Sequence, residues 1–287
     1  MAKVDTIEFD DARAYLDYLR PSADRWWSNN NRIDYVFRGH SNEQYRLVPR
    51  AFRKAEKPSE LQRLATRIMA AAPDLDEVSA YQYAITEVMM SFAAVAKSVG
   101  IDVGTAPNVP SPYQSFELLA LFQHYGGETS LLDWTRSPLV AATFAAEGDD
   151  STAICVWALN KSTFGLNGSL EHIRTDGASV ELVLQDAPIE RNPYLFAQSG
   201  TFTYVQSRNH SKTDKIDWEP LERLHDYSAA CALTKIVLTR SEVPRLRELL
   251  FRESLSKAHL MPDLGNSVRV AIQRCLLPEY SFSLLGP

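Results

Sequence analysis

Ala153-Ile154-Cys155-Val156-Trp157-Ala158-Leu159 is an unbroken apolar run. A strand with one face in water alternates apolar and polar side chains, whereas a strand covered on both faces is apolar throughout. The run is too apolar for an exposed edge, so it reads as a central strand. Downstream, residues 180–184, 201–205 and 235–238 are further strand candidates, and residues 242–253 and 266–275 carry helical patterns. Upstream, Tyr35-Val36-Phe37 ends in Arg38-Gly39-His40, the pattern of a strand that delivers polar groups at its C-terminal end before a Ser41-Asn42 turn.

The rest of the first half is helical in pattern. Phe9, Ala12, Tyr15, Leu16 and Leu19 stand at helix spacing within residues 8–29, with Pro21 interrupting before Trp26 and Trp27. Residues 58–99 read as a helical hairpin, with Leu61, Leu64, Ile68 and Met69 on one stripe, a second stripe over 83–95, and Pro73 between them. Gly100, Gly104, Pro107, Pro110 and Pro112 mark a long surface connection. A helix over 116–125 is stopped by Gly126-Gly127, residues 129–133 suit a strand or turn, and Ser137-Pro138 begins a small-residue helix as N-cap and first turn. Helices early and strands mostly late predict an α+β fold on a mixed or mainly antiparallel sheet, rather than regular βαβ alternation.

Composition narrows the function classes. The chain has 287 residues, 45% of them hydrophobic and 23% charged, enough for a sizeable core. A formal net charge of −6 argues against broad attraction to nucleic acid or anionic membranes. Cys155, Cys231 and Cys275 have neither disulfide nor zinc spacing, the six histidines are scattered, and no apolar stretch is long enough to span a bilayer. The expectation is a cytoplasmic protein with no metal and no membrane association. Ser137 has no Gly-x-Ser-x-Gly setting and the cysteines sit in apolar runs, so nucleophilic hydrolysis is disfavoured.

Three segments resemble the FRG-domain family, named for its aromatic-Arg-Gly motif. The first is Tyr35-Val36-Phe37-Arg38-Gly39-His40 with Tyr45-Arg46-Leu47-Val48-Pro49 after it. The second and most specific runs from Phe122-Gln123-His124-Tyr125-Gly126 through Leu132-Asp133-Trp134-Thr135-Arg136-Ser137-Pro138 to Phe144-Ala145. The third joins Arg191-Asn192-Pro193 and Ala197-Gln198-Ser199-Gly200 to His259-Leu260-Met261-Pro262-Asp263. Gly127-Glu128 and Met261 depart from the family pattern, without touching its polar residues. The resemblance implies one domain over 30–287 behind a helical extension at 1–29.

The aromatic-Arg-Gly strand end and the later hydroxyl-bearing turn are also similar to the first two motifs of ADP-ribosyltransferases. That similarity implies a split sheet and a cleft for NAD or a related nucleotide, with ADP-ribose passed to a protein or nucleic-acid acceptor. Arg38 would meet phosphates through its planar fork, Gly39 would let the backbone approach them, and Thr135 would hold Arg38 or the ribose. Tyr125 or Trp134 would stack on a flat ring, and His124, Asp133 and Gln198 would complete the cleft. No Glu-x-Glu follows on a convincing strand, which leaves Gln198 as the nearest stand-in.

Each residue has a plainer reading beside that one. Arg38 and Asp133 suit a buried ion pair, and His124 suits a helix C-cap. Thr135 and Ser137 suit capping, Tyr125 and Trp134 suit the core, and Gln198 suits a turn anchor. Two other functions stay open: a non-catalytic recognition module of a bacterial stress or phage-defence system, and a nucleic-acid-processing factor with Arg46, Arg50, Arg53 and Lys54 as a local basic stripe.

Overall fold

In the computed structural model the described residues are 4–28, 33–53, 56–103, 116–148, 151–164, 169–173, 179–186, 199–207, 220–223, 233–261 and 264–276. Lys54, the connection from Gly104 to Pro112, Arg191-Asn192-Pro193, Gln198, Cys231 and Pro262-Asp263 lie outside them. Among the described residues eight strands form one sheet. They are β1 (Asp5–Phe9), β2 (Tyr35–His40), β3 (Leu132–Thr135), β4 (Ile154–Asn160), β5 (Ser169–Ile173), β6 (Ser179–Gln185), β7 (Gly200–Ser207) and β8 (Leu233–Leu238), in the order β1-β8-β4-β2-β3-β7-β6-β5. β1 runs parallel to β8 and the other neighbours are antiparallel, so the sheet is mixed and the fold is α+β.

The apolar run around Trp157 is apolar because β4 is covered twice. Ile154, Val156 and Ala158 enter one core with α1 (Ala12–Tyr18), α5 (Pro138–Ala145) and α6 (Val243–Arg252). Cys155, Trp157 and Leu159 enter a second core on the opposite face, with Val36, Leu132, Trp134 and Leu233. α6 buries Val243, Leu246, Leu249 and Leu250 as one helical stripe, with Arg245 and Arg252 exposed outside it.

The hairpin is present as α2 (Glu60–Ala71) and α3 (Glu77–Ser98). Ser59 and Gln62 form a reciprocal capping box at the start of α2, and Asp76 caps α3. α4 (Phe116–His124) joins this layer to the sheet by packing Phe116 and Ala120 on Leu131 and Phe202. Two short elements, α7 (Lys257–Leu260) and α8 (Leu264–Leu276), follow α6.

The N-terminal stretch differs from the helical extension expected there. Asp11 accepts a hydrogen bond from the Ala14 amide and sets the start of α1 at Ala12, which leaves Asp5–Phe9 free to pair with β8 as an edge strand. Tyr15, Leu16, Leu19 and Trp26 lie in the first core, so this stretch is integral to the fold. The sheet is also not split in two. It is one sheet with a narrow waist, because β2 pairs with β4 through six residues but meets β3 only at Phe37↔Thr135.

Candidate functional site

Beyond Phe37 the two strands part, and β2 carries Arg38, Gly39 and His40 forward beside β4 without registered partners on β3. A sheet that loses its ladder must satisfy the freed backbone groups by other means. Here Arg38 reaches across the gap, its Nη1 donating to the Asp133 carbonyl at 2.7 Å. The space left between the strands is a hollow of about 390 Å³, within the roughly 300–1,000 Å³ of small-molecule sites. Its walls come from β2 (Arg38, His40), the following loop (Tyr45, Arg53), the end of α4 (Gln123, His124), β3 (Asp133, Thr135), α5 (Ala141, Phe144) and Met261.

Two hydrogen bonds set the protonation of His40. Arg38 Nε donates to His40 Nε2 at 3.0 Å, so that nitrogen must be the lone-pair acceptor. Nδ1 then carries the proton and donates to the Tyr45 carbonyl at 3.1 Å. With the side chain only 5% exposed, burial first and the Arg38 charge second push its pKa down to about 3. His40 is therefore a neutral rest for the guanidinium and has no free lone pair for a reacting proton.

Asp133 is held from the other side. Its Oδ2 lies 3.4 Å from Arg38 Nη1, and its Oδ1 accepts from the Gln123 amide, whose own oxygen accepts from the buried Thr129 hydroxyl. The Arg38 side chain is 14% exposed and that of Asp133 60% exposed, so this is no buried ion pair. A pair so open to water contributes about 0–1 kcal/mol. Its carboxylate stands at the mouth of the hollow, oriented by Gln123. His124, at the end of α4, has its pKa lowered by burial, against the opposing pull of Asp133, and is neutral near pH 7.

Thr135 lines the hollow but its hydroxyl also accepts from the Ser137 amide at 3.1 Å, shaping the turn into α5 ahead of the Ser137 N-cap. Two sequence expectations need correction. The indole of Trp134 is 2% exposed and donates to Thr203 Oγ1 at 2.8 Å in the second core, so it is no stacking platform. Strand alternation sends Leu132 and Trp134 to one face and Asp133 and Thr135 to the other. Tyr125 is 68% exposed, edge-on to His124 and outside the walls of the hollow. Gly39 lines the hollow and also serves helix packing: a Cβ there would stand 1.9 Å from the Ala141 carbonyl oxygen and 2.7 Å from the Ala145 nitrogen of α5.

The waist thus brings together Arg38, His124, Asp133 and Thr135, while Gln198 lies outside the described residues. It adds His40, Tyr45, Arg53 and Gln123. All four stand in or beside the motif segments, but only the fold shows that Tyr45 is the tyrosine in the wall and that the basic stripe disperses. Arg46 pairs with Glu222 at 2.9 Å, and Arg50 stands 3.8 Å from Glu128, whereas Arg53 faces the hollow. Among the described residues no group of three or more His, Cys, Asp or Glu could hold a metal ion, and no helix is long and apolar enough to cross a membrane.

No curated protein and no solved structure matches the chain. A family match covers residues 33–153, from just before β2 to the foot of β4. Every polar side chain described at the waist falls within those residues, and what they match is the FRG domain family: the chain carries an FRG domain.

Proposed function

We propose that the hollow at the waist binds a nucleotide through its phosphates, with NAD or a related dinucleotide as the ligand and ADP-ribose as the group transferred. The observation that carries this reading is the convergence of Arg38 and Thr135, distant in sequence, on one solvent-reachable hollow. A guanidinium has five N–H donors, and the contacts to His40 and Asp133 engage at most three of them. The fork is therefore pre-oriented with donors to spare for phosphate oxygens. Tyr45, 55% exposed in the wall, offers the aromatic face that Trp134 and Tyr125 do not.

In such a transfer the bond from ribose C1′ to nicotinamide breaks, nicotinamide leaves with the bonding pair, and an acceptor oxygen or nitrogen bonds to C1′. The acceptor's proton passes to a base in the wall. Neutral His124 beside the Asp133 carboxylate has the protonation state for that role, whereas His40, though also neutral, has its Nε2 lone pair engaged by Arg38.

Titrating the full chain with NAD by calorimetry, and following nicotinamide release, tests the reading. Binding that falls tenfold or more in Arg38→Gln, with the thermal unfolding transition still cooperative, supports it. A folded parent protein that neither binds NAD nor releases nicotinamide ends it.

A further inference from the structure

The arginines between β2 and α2 are not equivalent. Arg46 Nε lies 2.9 Å from Glu222 Oε1, and Arg50 donates to the Gly126 carbonyl and stands near Glu128. Arg53 has no carboxylate within ion-pair distance among the described residues. Its Nε donates to the Val48 carbonyl at 3.0 Å, which fixes the plane of the guanidinium, and it lines the same hollow as Arg38.

Among the described residues the charges of that wall do not balance. Arg38 and Arg53 bring two guanidiniums, which stay protonated throughout the physiological range. Among the described residues of the wall one carboxylate stands against them, Asp133, already engaged by Arg38 and Gln123. His40 and His124 are both neutral near pH 7. Packing around the Arg53 guanidinium, then the charges of Arg38 and Arg50, pull its pKa down, the sign of a cation whose surroundings under-compensate it. A ligand anion would reverse that imbalance.

We infer that Arg53 is a second anion-binding residue of the hollow, and that the ligand class is a compound with adjacent phosphoryl groups seated between Arg38 and Arg53. This rests on the proposed function in so far as the hollow is a ligand site, but it does not require that the ligand be NAD. Two forks converging from β2 and from the loop before α2 bind a pyrophosphate at both of its phosphorus centres, whereas one fork suffices for a single anionic group.

The experiment titrates the full chain with inorganic pyrophosphate, ADP, adenosine and NAD by calorimetry at low and moderate salt. Parent protein is compared with Arg53→Gln, Arg53→Lys and the paired-arginine control Arg46→Gln. Pyrophosphate and ADP are expected to bind with salt-sensitive affinity, and adenosine at least about a hundredfold more weakly. Arg53→Gln should lose about tenfold or more in ADP affinity with an unchanged unfolding temperature, Arg53→Lys should recover part of it, and Arg46→Gln should match the parent. ADP binding that is equal in parent and Arg53→Gln overturns the clamp, as does adenosine binding as tightly as ADP, or no binding by any of the four probes. If pyrophosphate and ADP bind through Arg53 and NAD does not, the clamp stands and the NAD reading falls. If NAD binds parent and Arg53→Gln alike, the NAD reading stands and the clamp falls.

Discussion

On one side β2 is zipped to β4 from Tyr35 to His40, and on the other it touches β3 at a single pair. The zipped side is sealed and chemically quiet. Cys155, opposite His40 on β4, has its thiol pushed up to about 12 by burial and is inert near neutral pH. The open side gathers the polar side chains, because each acceptor that the ladder no longer satisfies needs a side-chain donor. Arg38 serves Asp133, His40 steadies Arg38, and Gln123 with Thr129 steadies the Asp133 carboxylate. The hollow is thus what the sheet leaves where pairing stops, and the polar cluster is what keeps that opening from collapsing.

The strongest way to break this contrast is at the pair that joins the two sides. Phe37 is wholly buried, edge-on to Trp26 at 4.9 Å, and stands opposite Thr135 in the one registered β2–β3 pair. Phe37→Ala is expected to cost about 4 kcal/mol, read as a lower midpoint in urea unfolding. A loss under about 1 kcal/mol would mean that the waist does not depend on packing beneath it. Next in size is Gly39→Ala, where the new methyl meets backbone of α5 rather than a flexible side chain. About 3 kcal/mol of destabilisation is expected, since α5 is itself wedged against the first core. A Gly39→Ala protein as stable as the parent would place α5 farther from β2 than described.

Acid sharpens the comparison on the polar side. Folded His40 stays neutral down to about 3, while in the unfolded chain it takes up its proton near its ordinary value of 6.5. Between those values the unfolded state binds more protons, so stability rises with pH and is lost as pH falls. From about pH 7 to about pH 5 this one group is expected to remove roughly 2 kcal/mol. Unfolding midpoints measured across that window should slope accordingly, and His40→Gln should flatten the slope even if it starts from lower stability. Equal slopes in both proteins would show that His40 is not the buried neutral ring that supports Arg38.

How much of this was legible in the sequence follows from what each element depends on. β4 was readable because burial on both faces writes an unbroken apolar run, and α2, α3 and α5 because caps and breakers bound them locally. β1 was not, because Phe9, Ala12, Tyr15 and Leu16 keep a helix-like spacing across the true boundary at Asp11, and only pairing with distant β8 makes residues 5–9 a strand. At the site, the motif segments pointed to Arg38, Asp133, Thr135 and His124, but not to which aromatic faces the hollow. That depends on the strand phase of β3, which turns Trp134 inward, and on the loop after β2, which brings Tyr45 and Arg53 to the wall. Gly39 lines the hollow as its motif suggested, but no local pattern announces that α5 also packs on it.

The smallest expected effect makes the finest cut between inside and outside the waist. Tyr45 and Tyr125 are both more than half exposed and each lies edge-on to a histidine, His40 and His124 respectively. Only Tyr45 lines the hollow. Tyr125→Ala is expected to change stability by no more than about 0.5 kcal/mol and to leave ADP affinity within about twofold. Tyr45→Ala should spare stability nearly as well, because the His40 partner is the Tyr45 backbone carbonyl, yet weaken ADP more than inorganic pyrophosphate. That split separates ring stacking from phosphate binding, since pyrophosphate has no ring to lose. Were Tyr125→Ala the variant that lost ADP, the ligand would have to lie across the end of α4 rather than between the parted strands.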